Sequence, residues 1–283
     1  MSVSAGKIAR RRVTDTAFKA FCVLVTVLAL AALAAILWSL LKEGIGGLNL
    51  DIFTKSTPAP GSKGGLANAI EGSIAMCVLA MVLALVVGML AGTWLAEYGG
   101  RSAYGAVIRF LNDVLLSAPS ILVGLFVYEI LVAPFHSFSG FAGSVALALL
   151  AVPVIVRTTE DVLLLQSATL REAGVGLGAP LSYVIRTILW RSARSGLLTG
   201  ALLAFARISG ETAPLLFTAL NNQFFSLDLR RPTANLPVVI FNFALSAYDD
   251  WRRLAWAGAL LVAGAVLAVT VVARIVAQEQ KRS

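Results

Sequence analysis

Arg207 and Glu211 stand four residues apart in a stretch, Gly196 to Phe217, that otherwise reads as lipid-spanning. An ionised side chain at the centre of a bilayer costs roughly 2.5–3.5 kcal/mol on insertion scales. At i, i+4 on one helix the two side chains meet on the same face and neutralise each other. Such a pair belongs toward a bundle interior or a wet cavity, so this chain handles something polar inside the membrane. The alternative is a structural ion pair that fixes helix packing. Thr212 and Pro214 close the same motif. A proline within a helix removes a backbone hydrogen bond, leaving a kink and a free carbonyl. Ser117-Ala-Pro119-Ser120 is a comparable interruption upstream. A serine ahead of a restarted helix can aim backbone N–H groups at an anion, or the break can serve packing alone.

The elements that must position these groups are membrane helices. Hydrophobic residues make up 58% of the 283, charged residues only 13%, and mean hydropathy is +0.85. Soluble domains carry about a quarter charged residues. The fold class expected is all-α, a polytopic integral membrane protein. A net charge of +8 is not a nucleic-acid signature here, because the basic residues cluster at segment ends. Cys22 and Cys77 lie inside apolar spans as small hydrophobes, so no disulfide framework is available. A single histidine, His136, excludes histidine clusters for metal or catalysis.

Six segments are read as spans: 17–41, 69–96, 110–133, 141–156, 195–220 and 254–277. Asn112, Asp113 and Pro119 interrupt the third, and Pro153 the fourth. The first follows Arg10-Arg11-Arg12 but is too long for a signal-peptide core, so it is read as retained. The domain order is then an N-terminal segment 1–16, the first span 17–41, an outer loop 42–66, a core 67–277 and a tail 278–283. Lys7, Arg10–Arg12, Arg101, Arg109, Arg157, Arg171, Arg186, Arg191, Arg194, Lys281 and Arg282 fall in alternate loops. That bias places both termini in the cytoplasm. Loop 42–66, with Pro58, Pro60, Gly61, Gly64 and Gly65, reads as irregular, and outer loop 221–253 as packed on the bundle or a partner. Gly88/Gly92 and Gly196/Gly200 have helix-packing spacing, for this bundle or for a partner.

The inner loop, 157–194, is the more organised extramembrane segment. Thr158-Thr-Glu-Asp161 has capping-box spacing. Gly178 offers a helix C-cap and Pro180 a helix start. Leu181, Val184, Ile185, Ile188 and Leu189 then make one apolar helical face. The loop is either a projecting knob or an amphipathic hairpin on the inner leaflet.

Glu172-Ala173-Gly174, then Gly178, then Ile188 resembles the Glu-Ala-Ala-x-x-x-Gly loop of ATP-binding-cassette import permeases. Gly174 replaces the second Ala, Trp190 the Leu and Arg191 the Pro of that motif. The run from Ala206 to Phe224, with Ala234–Phe241 and Phe110–Phe126, is similar to the PstA family of phosphate permease subunits. The resemblance runs from about residue 65 to the C-terminus.

The resemblance implies a type I importer permease with six transmembrane helices and a cytoplasmic coupling-helix loop, in the bacterial inner membrane. It implies four partners: a PstC-like permease, a homodimeric PstB-like ATPase that binds ATP and Mg, a PstS-like phosphate-binding protein, and phosphate itself. No cofactor is expected on this chain, which shows no G-x-x-x-x-G-K-[ST] loop and is not expected to be an enzyme. Arg171, Glu172, Ala173, Gly174 and Gly178 would form the ATPase contact. Arg207 would meet the anion with Glu211 holding it between cycles, and Thr212, Pro214, Ser117 and Ser120 would line the path. Alternatives are another oxyanion such as phosphonate, an autonomous secondary anion carrier, or a phosphate-sensing scaffold.

Overall fold

Buried residues, all small except Met76, recur every fourth position along the helix Ala67–Trp94: Gly72, Met76, Ala80, Ala84, Gly88 and Gly92. Such a ridge lets another backbone approach closely, which is what holds helices together where lipid removes the hydrophobic drive. The computed structural model describes residues 5–100, 102–226 and 228–282, apart from the side chains of 5–10, 273 and 276–282. Arg101 and the side chains of Lys7, Arg10, Lys281 and Arg282, assigned above to inner segments, lie outside the described residues.

The helices are α1 (Ala5–Gly47), α2 (Asp51–Thr54), α3 (Ala67–Trp94), α4 (Ala103–Ser117), α5 (Ser120–Val127), α6 (Gly140–Leu164), α7 (Ala168–Gly176), α8 (Leu181–Val184), α9 (Trp190–Ser209), α10 (Ala213–Thr218), α11 (Leu236–Ala244) and α12 (Asp249–Arg282). Wider π-turns follow α3 at Leu95–Gly99, α5 at Tyr128–Val132 and α8 at Ile185–Leu189. Side-chain caps start several of them. Ser102 accepts from Gly105 N–H, Ser139 from Ala142 N–H and Asn235 from Val238 N–H.

α3 and α6 form the centre. A Cβ at Gly88 would lie 2.7 Å from Ile155 Cγ2, and one at Gly92 2.6 Å from Val156 O. At Gly143 it would lie 3.0 Å from Met76 Sδ. These contacts advance together along both chains, so the two helices run parallel. α9 also packs on α6, antiparallel, with Gly196 on Val162 and Gly200 on Thr158. Both Gly-x-x-x-Gly pairs therefore serve this chain's own bundle, and glycine is required because backbone or a β-carbon fills the space. Gly92→Val is expected to lower the apparent Tm in detergent by roughly 3–10 °C, the effect of about 1–3 kcal/mol of overpacking. Gly264→Val, where nothing lies within 4 Å, should leave the unfolding curve in place.

Among the described residues four helices are long and apolar enough to cross a membrane: Arg11–Gly47, Ala67–Gly99, Gly140–Leu164 and Asp249–Val272. The chain is thus a multi-pass membrane protein. α4 and α5 pass the same test together but bend by 105° between them, so segment 110–133 is not one straight span. Pro119 explains the break: the residue before a proline is pushed out of the helical region, and Ala118 sits at φ −65°, ψ 134°. α9, which carries Arg191, Arg194 and Arg207, is not among the apolar four. Segment 195–220 also divides, because α9 stops at Ser209 and α10 starts at Ala213.

Three further expectations change. Thr158–Asp161 lies inside α6, not at a helix start. α6 passes straight through Pro153. Loop 42–66 is partly helical, since α1 continues to Gly47 and α2 follows. α1 packs on α12, with Gly44 against Leu260 and Gly47 against Arg253 O. None of the most apolar window of α1 is buried.

Residues 221–226 and 228–235 are stitched across the helix ends rather than hanging free. Gly140 N–H donates to Arg231 O, Phe141 N–H to Leu229 O and Thr233 N–H to Ala219 O. Buried Asn68 donates to Asn222 O at 2.8 Å and to Thr57 Oγ1 at 3.0 Å. This lid fixes the ends of α3, α6 and α10, which set the geometry of the interrupted helices.

Candidate translocation and coupling sites

Arg207 lies in the last turn of α9, where a cation is favoured by the helix dipole. Glu211 lies beyond the helix end at Gly210, which adopts φ −106°, ψ 3°. Both residues are half-buried. Among the described residues no ion pair or side-chain hydrogen bond joins them. The expected i, i+4 pairing is not made, because the helix that would align it ends between the two. Pro214 supplies the reason. Its ring crowds the carbonyl of residue 210 and removes a helical hydrogen bond; α6 absorbs the same cost at Pro153, whereas α9 ends before Pro214. It sits instead in the first turn of α10 after the N-cap Thr212, where no backbone donor is missed. Pro214 is therefore a helix start, not a mid-helix kink with a freed carbonyl.

The two interruptions touch each other. A Cβ on Gly124 of α5 would lie 2.6 Å from Pro214 Cα, so α5 and α10 cross in backbone contact. Ser120 opens α5 after Pro119 and is half-buried. Ser117 is exposed and its hydroxyl donates to Val114 O at 2.9 Å within its own helix. Two cavities accompany the bundle. One of about 330 Å³ is bounded by Ser73, Cys77, Phe205, Ser209, Leu236 and Val266. The other, about 680 Å³, lies among Leu90, Trp94, Tyr98, Ile185, Arg186 and Trp190. Neither is lined by Arg207, Glu211, Ser117 or Ser120.

The loop after α6 is a closed hairpin. Gly178 at φ +84° turns the chain, a conformation glycine adopts without the Cβ penalty. α7 returns against α8 at Gly174, where a Cβ would lie 2.8 Å from Val184 Cγ2. Glycine in place of the motif's second alanine is what permits that approach. Val184, Ile185 and Leu189 are buried with Leu163 and Ala193, while Leu181 and Ile188 pack against them. The expected apolar face is present, and it continues through the π-turn into α9. Glu172 and Ala173 are exposed, and Leu177 is 89% exposed. Among the described residues nothing covers the outward side of α7.

Arg171, expected among the ATPase contacts, instead faces inward and spends its guanidinium on bonds within the chain. Its Nη2 donates to Glu97 Oε1 at 2.6 Å and its Nε to Glu97 Oε2 at 2.9 Å. Nη2 and Nη1 also donate to Leu163 O and Gln166 O, each at 2.7 Å. Hydrogen bonding to Glu97 raises the guanidinium pKa further above its ordinary value. A second internal pair joins Arg109 Nε to Glu160 Oε1 at 2.6 Å. The two carboxylate side chains are only 3% and 5% exposed. Sequence reasoning missed Glu97 and Glu160 as partners. Acidic residues at the ends of apolar helices were the available signal, but nothing local named the arginine each would meet. Asn112, one turn beyond Arg109, donates to Pro153 O at 3.2 Å and fixes α4 to α6.

Residues 85–282 match the family described as binding-protein-dependent transport system inner membrane component. The phosphate transport system permease protein PstA of Haemophilus influenzae is 53% identical over 87% of this chain and 87% of its own length. That of Pasteurella multocida is 55% identical over 85% of this chain and 86% of its own. The chain belongs to the PstA family. A probable PstA of Methanocaldococcus jannaschii extends the likeness at 32% identity over 92% of each chain. In three dimensions the chain resembles one from the inward-facing MetNI methionine ABC transporter, with TM-score 0.62 at 17% identity, over 76% of this chain and 95% of that one. The PstA chain thus has the ABC-importer permease fold, and its interrupted helices and hairpin both lie within the matched 85–282 region.

Proposed function

We propose that this chain is the PstA-type permease subunit of an ATP-driven phosphate importer and forms half of the membrane pathway. One observation carries the reading: a closed hairpin whose outer face is exposed among the described residues, in a chain 53% and 55% identical to two relatives named phosphate transport system permease PstA. The partners are those the family resemblance implies. A PstC-like permease supplies the other half of the pathway, and a PstB-like ATPase dimer binds ATP and Mg and receives α7. A PstS-like protein delivers phosphate. Six spans, with α4–α5 as a broken span and α9–α10 as another, put both termini in the cytoplasm of a bacterial inner membrane. Transport is alternating access, with hydrolysis on a separate polypeptide.

Half-buried Arg207, unpaired within the described residues, is the best anion contact. Its planar fork matches phosphate oxygens and stays charged. Glu211, close in sequence but free of Arg207, competes for the guanidinium when the anion leaves, which keeps the site weak enough to release cargo. Ser120, Thr212 and Pro214 stand at the α5–α10 crossing and line the path with Ser117.

The test is purification of the tagged chain in mild detergent from cells expressing its natural partners, followed by reconstitution. Expected are a second permease and a nucleotide-binding subunit in the complex, and ATP-dependent phosphate uptake that excess phosphonate does not displace. A lone homo-oligomer, or nucleotide-independent flux through this chain alone, would overturn the proposal.

A further inference from the structure

We propose that Glu97 and Arg171 form the mechanical joint that carries displacement of the α7 hairpin into the spans, with Arg109 and Glu160 passing it on to α4. The inference rests on the function proposed above and adds to it the residues that transmit force. The hairpin joins α6 through the short turn after Leu164, and Gly178 makes its far end a sharp turn. A hairpin held only by those connections and an apolar patch can tilt without moving the helices above it. Arg171 removes that freedom.

One guanidinium binds Glu97 in the π-turn after α3 and two carbonyls, Leu163 O and Gln166 O, at the end of α6. Leu163 O also accepts from Gln166 N–H at 3.1 Å, so the arginine reinforces the turn that ends α6, where carbonyls run short of helical partners. Arg109 of α4 holds the same π-turn from its other side. It donates to Leu95 O at 3.2 Å and Gly100 O at 3.0 Å while pairing with Glu160 of α6. The two arginines therefore bracket Leu95–Gly99, a wide turn of the kind that recurs at functional sites. A push on α7 reaches α3 through Glu97. The bracketed turn then delivers it to α4, which leads into the break at Pro119 and the α5–α10 crossing.

The test uses the reconstituted complex. In Glu97→Gln and Arg171→Met the ATPase subunit should still co-purify and hydrolyse ATP, while phosphate moved per ATP falls about tenfold, within the usual span of coupling effects. A second arm replaces Cys22 and Cys77 by serine and introduces Glu97→Cys with Arg171→Cys. That pair should be uncoupled when free, recoupled when bridged by a short bis-methanethiosulfonate, and uncoupled again on reduction. A purely structural pair would not give this reversible response. Wild-type phosphate per ATP in both single variants, or no recoupling on bridging, overturns the joint while leaving the function standing. A wild-type complex that hydrolyses ATP without moving phosphate overturns the function itself. If the single variants fail to assemble, the bridged and unbridged cysteine pair alone decides.

Discussion

Arg207→Gln is expected to reduce phosphate uptake to background while the chain remains inserted and bound to its partners. The side chain makes no ion pair or hydrogen bond within the described residues, so its removal strands no internal carboxylate and opens no buried network. A charge-assisted hydrogen bond contributes about 1.5–3 kcal/mol, so losing one slows transport roughly 10–150-fold. Loss of a second bond of the fork takes the rate below detection. Arg207→Lys retains charge but not the fork and should fall between. Glu211→Gln should act in the opposite sense, holding the anion longer and lowering turnover at saturating phosphate. Uptake of labelled phosphate into proteoliposomes, with subunit composition checked on the same sample, measures all three. Normal flux in Arg207→Gln would remove this residue from the mechanism.

Leu177→Asp is expected to release the ATPase from the permease. Leu177 is an apolar side chain 89% exposed at the end of α7, beside half-exposed Val175. Placed against a partner's groove it becomes a buried anchor, and an anchor residue of that kind contributes at least about 2 kcal/mol, or roughly thirtyfold in affinity. A carboxylate there adds desolvation cost to lost packing. The hairpin should survive, because its closure depends on Gly174, Gly178 and Val184, which Leu177 does not replace. Leu50, also exposed but following α1, provides the control: Leu50→Asp should leave association unchanged. Co-purification yield and ATPase stimulation by the permease read the outcome. Intact association in Leu177→Asp would show that α7 is not the docking element.

Hydropathy, glycine spacing and turn chemistry were legible in the chain itself. Apolar length marks the membrane helices, because a span must satisfy its own backbone and present carbon to lipid. Gly178 and Pro180 locate the hairpin, because a left-handed turn and a restarted helix each demand a particular residue. Pro214 held part of its information locally: its ring disfavours a continuous helix through residue 210, although α6 continues through Pro153. The Arg207–Glu211 pair is expected from i, i+4 spacing on one continuous helix, and the end of α9 at Ser209 removes that alignment.

Only the folded chain decided which charges meet. Arg171 finds Glu97 across 74 residues and Arg109 finds Glu160 across 51. Those separations close because α3 and α6 pack in parallel, which brings the ends of both helices to one level beside α4 and α7. Helical periodicity reports a residue's face, and hydropathy reports its solvent. Neither reports the distance to a side chain on another helix, which packing sets.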